Sequence, residues 1–244
     1  MNQEDMAHLG HHEESNEGHE EEPKKRPFLY TILSIIFVML LILSIVPIYS
    51  IKFDPMPKNI PTLSDVVTEF KEVNNSFEVK TQKDYYKLLN ANDPFVKQVA
   101  VKVATEGCSD GLGGDRAKLC QAKAIYYFVR DNIKYISDPV FPEDDYVETA
   151  PEVLYTGGSD CDGMAILLAN LEAAIGLPTR FVFVPRHVYI WVYIEDAPKK
   201  YFVDKTDNYG WIRLDATCKQ CEFGVIPAEN VDKEKVVVWL IYWQ

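Results

Sequence analysis

The chain is 244 residues long, which at roughly 150 residues per domain allows one or two domains. With 47% hydrophobic and 25% charged residues it has the composition of a globular protein, which excludes a wholly disordered or fibrous chain. Its formal net charge of −12 argues against a nucleic-acid partner, because phosphate binding needs a basic surface. Residues 62–244 are enough for one domain with its own core.

The first residues differ in composition from the rest of the chain. Residues 1–27 are acidic and contain four of the five histidines at irregular spacing, which favours a disordered tail over a metal site. Residues 28–46 are uncharged and apolar, and as a helix they would be roughly 28 Å long, close to the ~30 Å hydrocarbon core of a bilayer. We predict one transmembrane helix over 28–46, in contact with the lipid bilayer. A cleaved signal peptide is the alternative, although no small-x-small cleavage site follows.

The charges that flank the apolar run predict its orientation. Lys24, Lys25 and Arg26 precede it directly, whereas only Lys52 and Lys58 follow shortly after it. The more basic side of a span stays in the cytoplasm as a rule. We therefore expect a single-pass protein of the cell membrane, with a cytoplasmic tail, a Pro-rich extended linker over 47–61 and an extracytoplasmic domain over 62–244.

Apolar periodicity predicts helices in the first half of the domain and strands in the second. Helices are expected from Thr62 to Phe70, from Tyr85 to Ala104 with a break at Pro94, from Asp115 to Asn132 and from Met164 to Ile175. Residues 137–159 are rich in turn residues and predict a long irregular loop. Short segments rich in β-branched and aromatic residues predict strands at Arg180–Val184, Val188–Ile194, Tyr201–Val203, Trp211–Leu214 and Val236–Trp243. Helices followed by strands indicate an α+β domain with an antiparallel sheet.

All five cysteines follow the apolar run, in a region that we expect to face an oxidising compartment. Proximity in the sequence favours two disulfides, Cys108–Cys120 and Cys218–Cys221, which leave Cys161 unpaired. A metal site or a redox-active pair at Cys218 and Cys221 is an alternative. A single C-x-x-C motif without a second pair is weak evidence for zinc, however, and no helix pattern follows Cys221 to lower its pKa.

Cys161 lies in a Gly-rich segment directly before a predicted buried helix. Ser159 or Asp160 can cap this helix, so that Cys161 falls in its first turn. The helix dipole and the free N–H groups there favour a thiolate nucleophile, and the same N–H groups can bind an oxyanion. The alternative is a buried structural cysteine, against which the neighbouring glycines and aspartates argue.

His187 is the one histidine after the apolar run, and it opens a predicted strand. Another predicted strand ends with Asp215, and in an antiparallel pair the end of one strand lies beside the start of its neighbour. Asp215 can therefore orient the His187 ring, with Asp204 as the competing carboxylate. Together with Cys161 they would form a nucleophile, a base and an orienting group.

These residues resemble the transglutaminase-like superfamily, whose active site is papain-like. The resemblance covers roughly residues 115–217 and rests on five segments and the histidine: Ala124–Tyr135, Pro151–Leu154, Gly157–Gly163, Ile175–Arg180, His187 and Trp211–Thr217. It implies a catalytic triad of Cys161, His187 and Asp215. The family usually has His-x-Trp, whereas here Trp191 stands four residues after His187, still on the same strand face. Tyr155 is the candidate for the oxyanion role that a tryptophan has in the family.

The combined expectation is an α+β protein with a papain/transglutaminase-like core, its helices packed on an antiparallel sheet and preceded by one transmembrane helix. The function that we predict is cysteine-dependent acyl transfer. A peptide or glutamine amide of a protein or peptide substrate would be hydrolysed or transamidated through a thioester, without cofactor or metal. The alternative is a catalytically inactive, disulfide-stapled binding domain at the cell surface, since the superfamily also includes inactive domains.

Overall fold

The computed structural model describes residues 27–68, 79, 81–109, 113–137, 147–204 and 208–239. The predictions for residues 1–26, 138–146 and 240–243 lie outside these ranges. The helix expected to reach Phe70 ends earlier, at Val66, because Val67 is an extended C-cap residue. The chain divides into two units between Ile45 and Val46, and the second unit contains the domain.

The first helix, α1 (Pro27–Phe53), contains the apolar run, and its side chains from Phe28 to Ser44 are exposed. Among the residues that the structure describes, no helix is identified as both long and apolar enough to cross a membrane. The predicted transmembrane helix is therefore not confirmed.

The predicted extended linker, residues 47–61, differs from the prediction both before and after Phe53. Residues up to Phe53 are helical, and the residues after it pack against the domain. The fully buried ammonium group of Lys123 forms an ion pair with Asp54 and donates to the Pro55 carbonyl at 3.1 Å. The Lys58 N–H donates to the Gly107 carbonyl at 3.0 Å. Charge pairing and backbone hydrogen bonds thus fix a segment whose prolines alone indicate only stiffness.

The domain contains six further α-helices among the described residues. They are α2 (Leu63–Val66), α3 (Pro94–Gly107), α4 (Asp115–Asn132), α5 (Ala150–Thr156), α6 (Cys161–Ala174) and α7 (Ala228–Val231), together with 3-10 helices at Gln82–Leu88 and Lys199–Tyr201. The prediction for α4 is confirmed at both ends, and α3 restarts at Pro94 because the Asp93 side chain caps it.

One helix replaces part of the predicted loop over 137–159. Residues Ala150–Thr156 form α5, preceded by a capping box in which the Glu152 carboxylate accepts from the Thr149 N–H. The loop prediction is therefore wrong at this point. Turn residues such as Pro151 and Gly157 mark the first turn and the left-handed C-cap of this helix, rather than a loop.

Two sheets form in the domain. The short strands β1 (Lys134–Tyr135) and β2 (Gly158–Ser159) pair in parallel. The main sheet is fully antiparallel in the order β5-β4-β3-β6, with strands β3 (Thr179–Val184), β4 (His187–Tyr193), β5 (Trp211–Leu214) and β6 (Val236–Trp239). The predicted strand at Tyr201–Val203 is wrong, because this segment contains the end of a 3-10 helix and a single bridge from Phe202 to Ile212.

Helix α6 is the centre of the domain and packs on β3 and β4, with α3, α4 and α5 around it. Alternate residues of β4 divide between two cores. Val188 and Ile190 belong to the main core with α6, and Tyr189 and Trp191 belong to a smaller cluster with Ile226. This arrangement confirms the α+β prediction with helices on an antiparallel sheet, and it brings the start of α6 to the start of β4.

Candidate active site

Cys161 is the first residue of α6, three residues before the predicted helix start. The helix begins here because the Asp160 side chain accepts from the N–H groups of Asp162 at 3.0 Å and Gly163 at 3.3 Å. Both predicted disulfides are present, Cys108–Cys120 and Cys218–Cys221, and Cys161 is free. The cysteine left over by pairing is therefore also the one at a helix N-terminus.

The first-turn N–H groups are less available than the sequence suggests. Those of Asp162 and Gly163 donate to the Asp160 side chain, and that of Met164 donates to the Asp160 carbonyl at 3.2 Å. The expectation that this turn presents several free donors to an oxyanion is therefore wrong, because the cap uses them. The N–H of Cys161 itself makes no such contact among the described residues and is the donor that remains.

The Cys161 thiol is half-buried and has defined hydrogen-bond partners. It donates to Asp162 Oδ1 at 3.4 Å, and the backbone N–H of Val188 in β4 donates to the sulfur. Burial raises the pKa of Cys161 well above its ordinary value, the Asp162 and Asp160 carboxylates raise it further, and the Val188 N–H opposes the shift in part. Burial and the two carboxylates thus act against the helix-stabilised thiolate that the sequence predicts.

A tight turn places His187 at the start of β4. Pro185 and Arg186 join β3 to β4, and Arg186 has φ 63°, a conformation that costs a non-glycine residue about 1 kcal/mol or more. His187 Nε2 lies 2.8 Å from Asp215 Oδ2. This contact leaves Nδ1 as the ring nitrogen that can accept a proton from another group.

Asp215 follows β5 directly and is 1% exposed. Besides the His187 ring, its carboxylate accepts from Thr217 Oγ1 at 2.7 Å and from the Thr217 N–H at 3.2 Å. The loop then continues to the Cys218–Cys221 disulfide, where Tyr126 donates to the Cys221 carbonyl at 3.0 Å. Asp215 is therefore held by its own loop, and that loop is fixed to α4.

The competing carboxylate, Asp204, belongs to a different loop. It accepts from the Asn208 N–H at 3.1 Å and from Asn208 Nδ2 at 2.7 Å. The antiparallel pairing of β4 with β5 explains why Asp215 reaches His187 instead. Ile190 lies opposite Leu214, so the residue that follows Leu214 lies toward the start of β4, where His187 is.

The structure brings two of the three predicted triad residues into direct contact and holds the third nearby. His187 and Asp215 are hydrogen-bonded, and the Cys161 sulfur contacts Val188, the residue after His187. No hydrogen bond joins Cys161 to the His187 ring in the part of the chain that the structure describes. Tyr155 stacks on Phe95 of α3 with ring centroids 4.8 Å apart, so its oxyanion role stays a prediction.

One residue of the site was not predicted from the sequence. Tyr85, in the 3-10 helix at Gln82–Leu88, donates a hydrogen bond from its hydroxyl to Asp162 Oδ2. Asp160, Cys161 and Asp162 offer oxygen and sulfur atoms within 4.8 Å of one another, but the aspartate oxygens already accept hydrogen bonds. We therefore assign no metal to this group.

The arrangement places a free cysteine at a helix N-terminus near a histidine at the start of one strand and an aspartate that follows the neighbouring antiparallel strand. Residues 106–216 match the family model described as Transglutaminase-like superfamily, so this part of the chain is similar to that superfamily. The match confirms the resemblance predicted over 115–217. No curated protein matches the chain.

Among solved structures, the chain is similar to a candidate cysteine protease from Cytophaga hutchinsonii, with 18% identity over 57% of this chain and a TM-score of 0.35. The chain covers 44% of that protein's own length. Legionella pneumophila LapG is similar at 17% identity, with 56% of this chain and 80% of that one covered and a TM-score of 0.34. Its calcium-bound form gives 17% identity, coverage of 59% and 87%, and a TM-score of 0.35.

Proposed function

We propose that this protein is a cysteine-dependent acyl-transfer enzyme that hydrolyses a peptide or glutamine amide bond through a thioester. The observation that carries the proposal is the 2.8 Å contact between His187 Nε2 and Asp215 Oδ2. The free Cys161 lies beside it, because its sulfur accepts from the N–H of Val188, the residue after His187 in β4. Most structural cysteines need neither an oriented imidazole nor a buried carboxylate. The match to the transglutaminase-like superfamily over residues 106–216 supports the same chemistry.

In the proposed reaction His187 acts as a general base rather than as the partner of a preformed thiolate. The raised pKa of Cys161 keeps its sulfur protonated at rest, so the proton must leave during attack. Nδ1 of His187 accepts this proton while Nε2 remains hydrogen-bonded to Asp215, which stabilises the imidazolium. The sulfur bonds to the amide carbon, and the N–H of Cys161 is the nearest oxyanion donor.

The second half of the reaction returns the enzyme to its starting state. The His187 imidazolium donates its proton to the leaving amine, and the carbon–nitrogen bond breaks to leave a thioester on Cys161. Water then attacks the thioester, its proton passes through His187 to the sulfur, and a carboxylic acid is released. An amine in place of water would give transamidation, and exclusion of water from the site decides between the two outcomes.

We also propose that the domain is anchored in a cell membrane, with the N-terminus in the cytoplasm and the domain outside. The exposed apolar side chains of α1 and the three basic residues before them support this arrangement. Two disulfides in the domain support an oxidising compartment. Carbonate extraction of membranes from expressing cells would test anchoring, because a peripheral protein would be released into the supernatant.

The test of the enzymatic proposal uses the full-length chain in detergent with a library of internally quenched peptides, part of which contain glutamine. Cleavage or deamidation is followed by fluorescence and by mass, with and without hydroxylamine as an amine acceptor. We expect turnover and an acyl adduct on Cys161, and a loss of about 10⁴-fold or more in Cys161→Ala. Full activity in that variant would refute the proposal.

The same test can also support the alternative hypothesis, a catalytically inactive binding domain. If no peptide is turned over and no acyl adduct forms, while the Cys161→Ala variant melts at the same temperature, Cys161 has no catalytic role. Hydroxamate formation in the presence of hydroxylamine would identify transamidation instead of hydrolysis.

A further inference from the structure

We propose that Tyr85 is a positioning residue of the active site, whose hydroxyl holds the Asp162 carboxylate against the Cys161 thiol and so keeps the nucleophile in a protonated resting state. This inference rests on the proposed function, because it assigns a resting state to the nucleophile of that reaction.

The hydrogen bonds form a continuous chain from Tyr85 to the sulfur. The Tyr85 hydroxyl donates to Asp162 Oδ2, and Asp162 Oδ1 accepts from the Cys161 thiol at 3.4 Å. Each oxygen of Asp162 thus has one partner, and the carboxylate bridges the phenol and the thiol. Because Asp162 is the second residue of α6, its backbone alone does not determine which way its side chain turns.

Tyr85 is itself fixed by packing on the sheet. Its side chain is 7% exposed, and its ring makes edge-to-face contacts with Phe181 and Phe183 of β3, at centroid distances of 5.6 and 4.8 Å. Edge-to-face pairs add stabilisation beyond burial alone, so these two contacts favour the observed orientation of the ring. The hydroxyl is therefore a rigid anchor rather than an adaptable surface group.

The charged and titratable groups around Cys161 are few. Asp160 and Asp162 belong to its own helix turn, Tyr85 comes from the preceding 3-10 helix, and His187 opens the adjacent strand. Glu148, before α5, bonds to Ser159 at 2.8 Å. Burial is the largest cause of the raised pKa of Cys161, and the Asp162 carboxylate is the second largest. The position of the Asp162 side chain is therefore the contribution that a substitution at Tyr85 can change.

The chemical consequence is a competition for the thiol proton. While Asp162 accepts the S–H hydrogen bond, the sulfur is neutral and its proton is directed to Asp162 Oδ1 rather than to His187. A carboxylate is too weak a base to remove a thiol proton, so this contact holds the thiol rather than activating it. When a substrate carbonyl approaches, the proton must turn from Asp162 to Nδ1 of His187 before the sulfur attacks.

The experiment measures the rate of Cys161 alkylation by iodoacetamide against pH in the full-length protein, with mass mapping of the adduct. The variants are Tyr85→Phe, Asp162→Asn and the double variant. Tyr86→Phe is the matched control, because Tyr86 also packs on Phe181 but donates its hydroxyl to the Val238 carbonyl. Melting temperatures confirm that each variant is folded.

We expect Asp162→Asn to lower the midpoint of the alkylation profile by about one pH unit or more, because a like charge next to the sulfur is removed. Tyr85→Phe should lower it in the same direction by a smaller amount, since the released carboxylate can turn into solvent. In the Asp162→Asn background the same change at Tyr85 should have no effect, and Tyr86→Phe should leave the midpoint unchanged.

Two results would overturn the proposal. One is an unchanged midpoint in Tyr85→Phe, and the other is an equal shift from this change with and without the Asp162 carboxylate. Failure of the proposed function is distinguishable, because alkylation requires no substrate. If Tyr85→Phe shifts the alkylation midpoint only when Asp162 is present, but no peptide is turned over, the assignment of Tyr85 stands and the proposed enzymatic function is refuted. If peptides are turned over but the effect of Tyr85→Phe does not depend on Asp162, the enzymatic function stands and the assignment of Tyr85 is refuted.

Discussion

The two halves of the proposed active site are built by different means. On the base side, His187, Asp215 and Thr217 form a continuous set of hydrogen bonds between 2.7 and 2.8 Å on strand ends and a disulfide-closed loop. On the nucleophile side, Cys161 lies at a capped helix start among carboxylates, and its thiol donates to Asp162 rather than to the imidazole. On the base side, Nδ1 of His187 is the ring nitrogen left to accept a proton, whereas on the nucleophile side the thiol proton of Cys161 is hydrogen-bonded to Asp162.

This difference indicates that one fold can orient the proposed base, His187, before substrate binds and still keep the proposed nucleophile, Cys161, in its neutral thiol form. The hydrogen bond that Asp215 accepts from the His187 ring determines the tautomer and orientation of that ring without any substrate. Close packing and burial determine the state of Cys161, because a half-buried sulfur beside two carboxylates favours its neutral form. Variants of each half should therefore fail in different ways.

The largest effect is expected from Asp215→Asn on the base side. The neutral amide no longer stabilises the His187 imidazolium, and its NH₂ group can donate to Nε2 and favour the wrong tautomer, so we expect peptide turnover to fall by about 10³- to 10⁴-fold. The rate of Cys161 alkylation should change far less, because the thiol has other partners. Asp204→Asn is the matched control and should retain activity, since Asp204 binds Asn208 in a different loop. Equal losses in the two variants would contradict this assignment of the orienting carboxylate.

An intermediate effect is expected from Gly163→Ala on the nucleophile side. A Cβ atom there would lie 2.0 Å from Ser159 Oγ and 2.8 Å from Glu148 Oε2, so the first turn of α6 must shift. We expect the free energy of unfolding to fall by about 1–3 kcal/mol, as in overpacked cores, and the alkylation rate of Cys161 to change. Gly113→Ala, where a Cβ atom meets nothing within 4 Å, is the control for denaturant unfolding. Identical stability of the two variants would show that the turn adapts.

The smallest effect is expected from Thr217→Val. This change removes the hydroxyl that donates to Asp215 at 2.7 Å while retaining the size of the side chain. A hydrogen bond to a charged group contributes about 1.5–3 kcal/mol, so we expect turnover to fall by about 10- to 150-fold. Thr217→Ser keeps the donor and should retain most of the activity in the same steady-state assay. Loss of activity in the serine variant would instead point to a packing role for the methyl group.

Local patterns in the sequence were sufficient for much of the fold and for the choice of the candidate site residues. Helix α4 begins and ends where its apolar stripe predicts, and the two nearest cysteine pairs are the two disulfides. The contact of His187 with Asp215 also follows from strand order, since antiparallel neighbours bring opposite ends together. The predicted loop before Gly157 was wrong, because turn residues also begin and end short helices such as α5.

The sequence by itself determined which residue types carry the chemistry: a cysteine left unpaired, one histidine in the domain and an aspartate after a strand. Only the tertiary structure decided the state of that chemistry. The acceptor of the Cys161 proton depends on Tyr85, which is 77 residues away from Asp162 along the chain, and on burial that no local pattern reports. The linker after α1 likewise packs against the domain through long-range contacts, such as the ion pair of Asp54 with the buried Lys123. Protonation and orientation depend on long-range neighbours, and those neighbours exist only once the chain has folded.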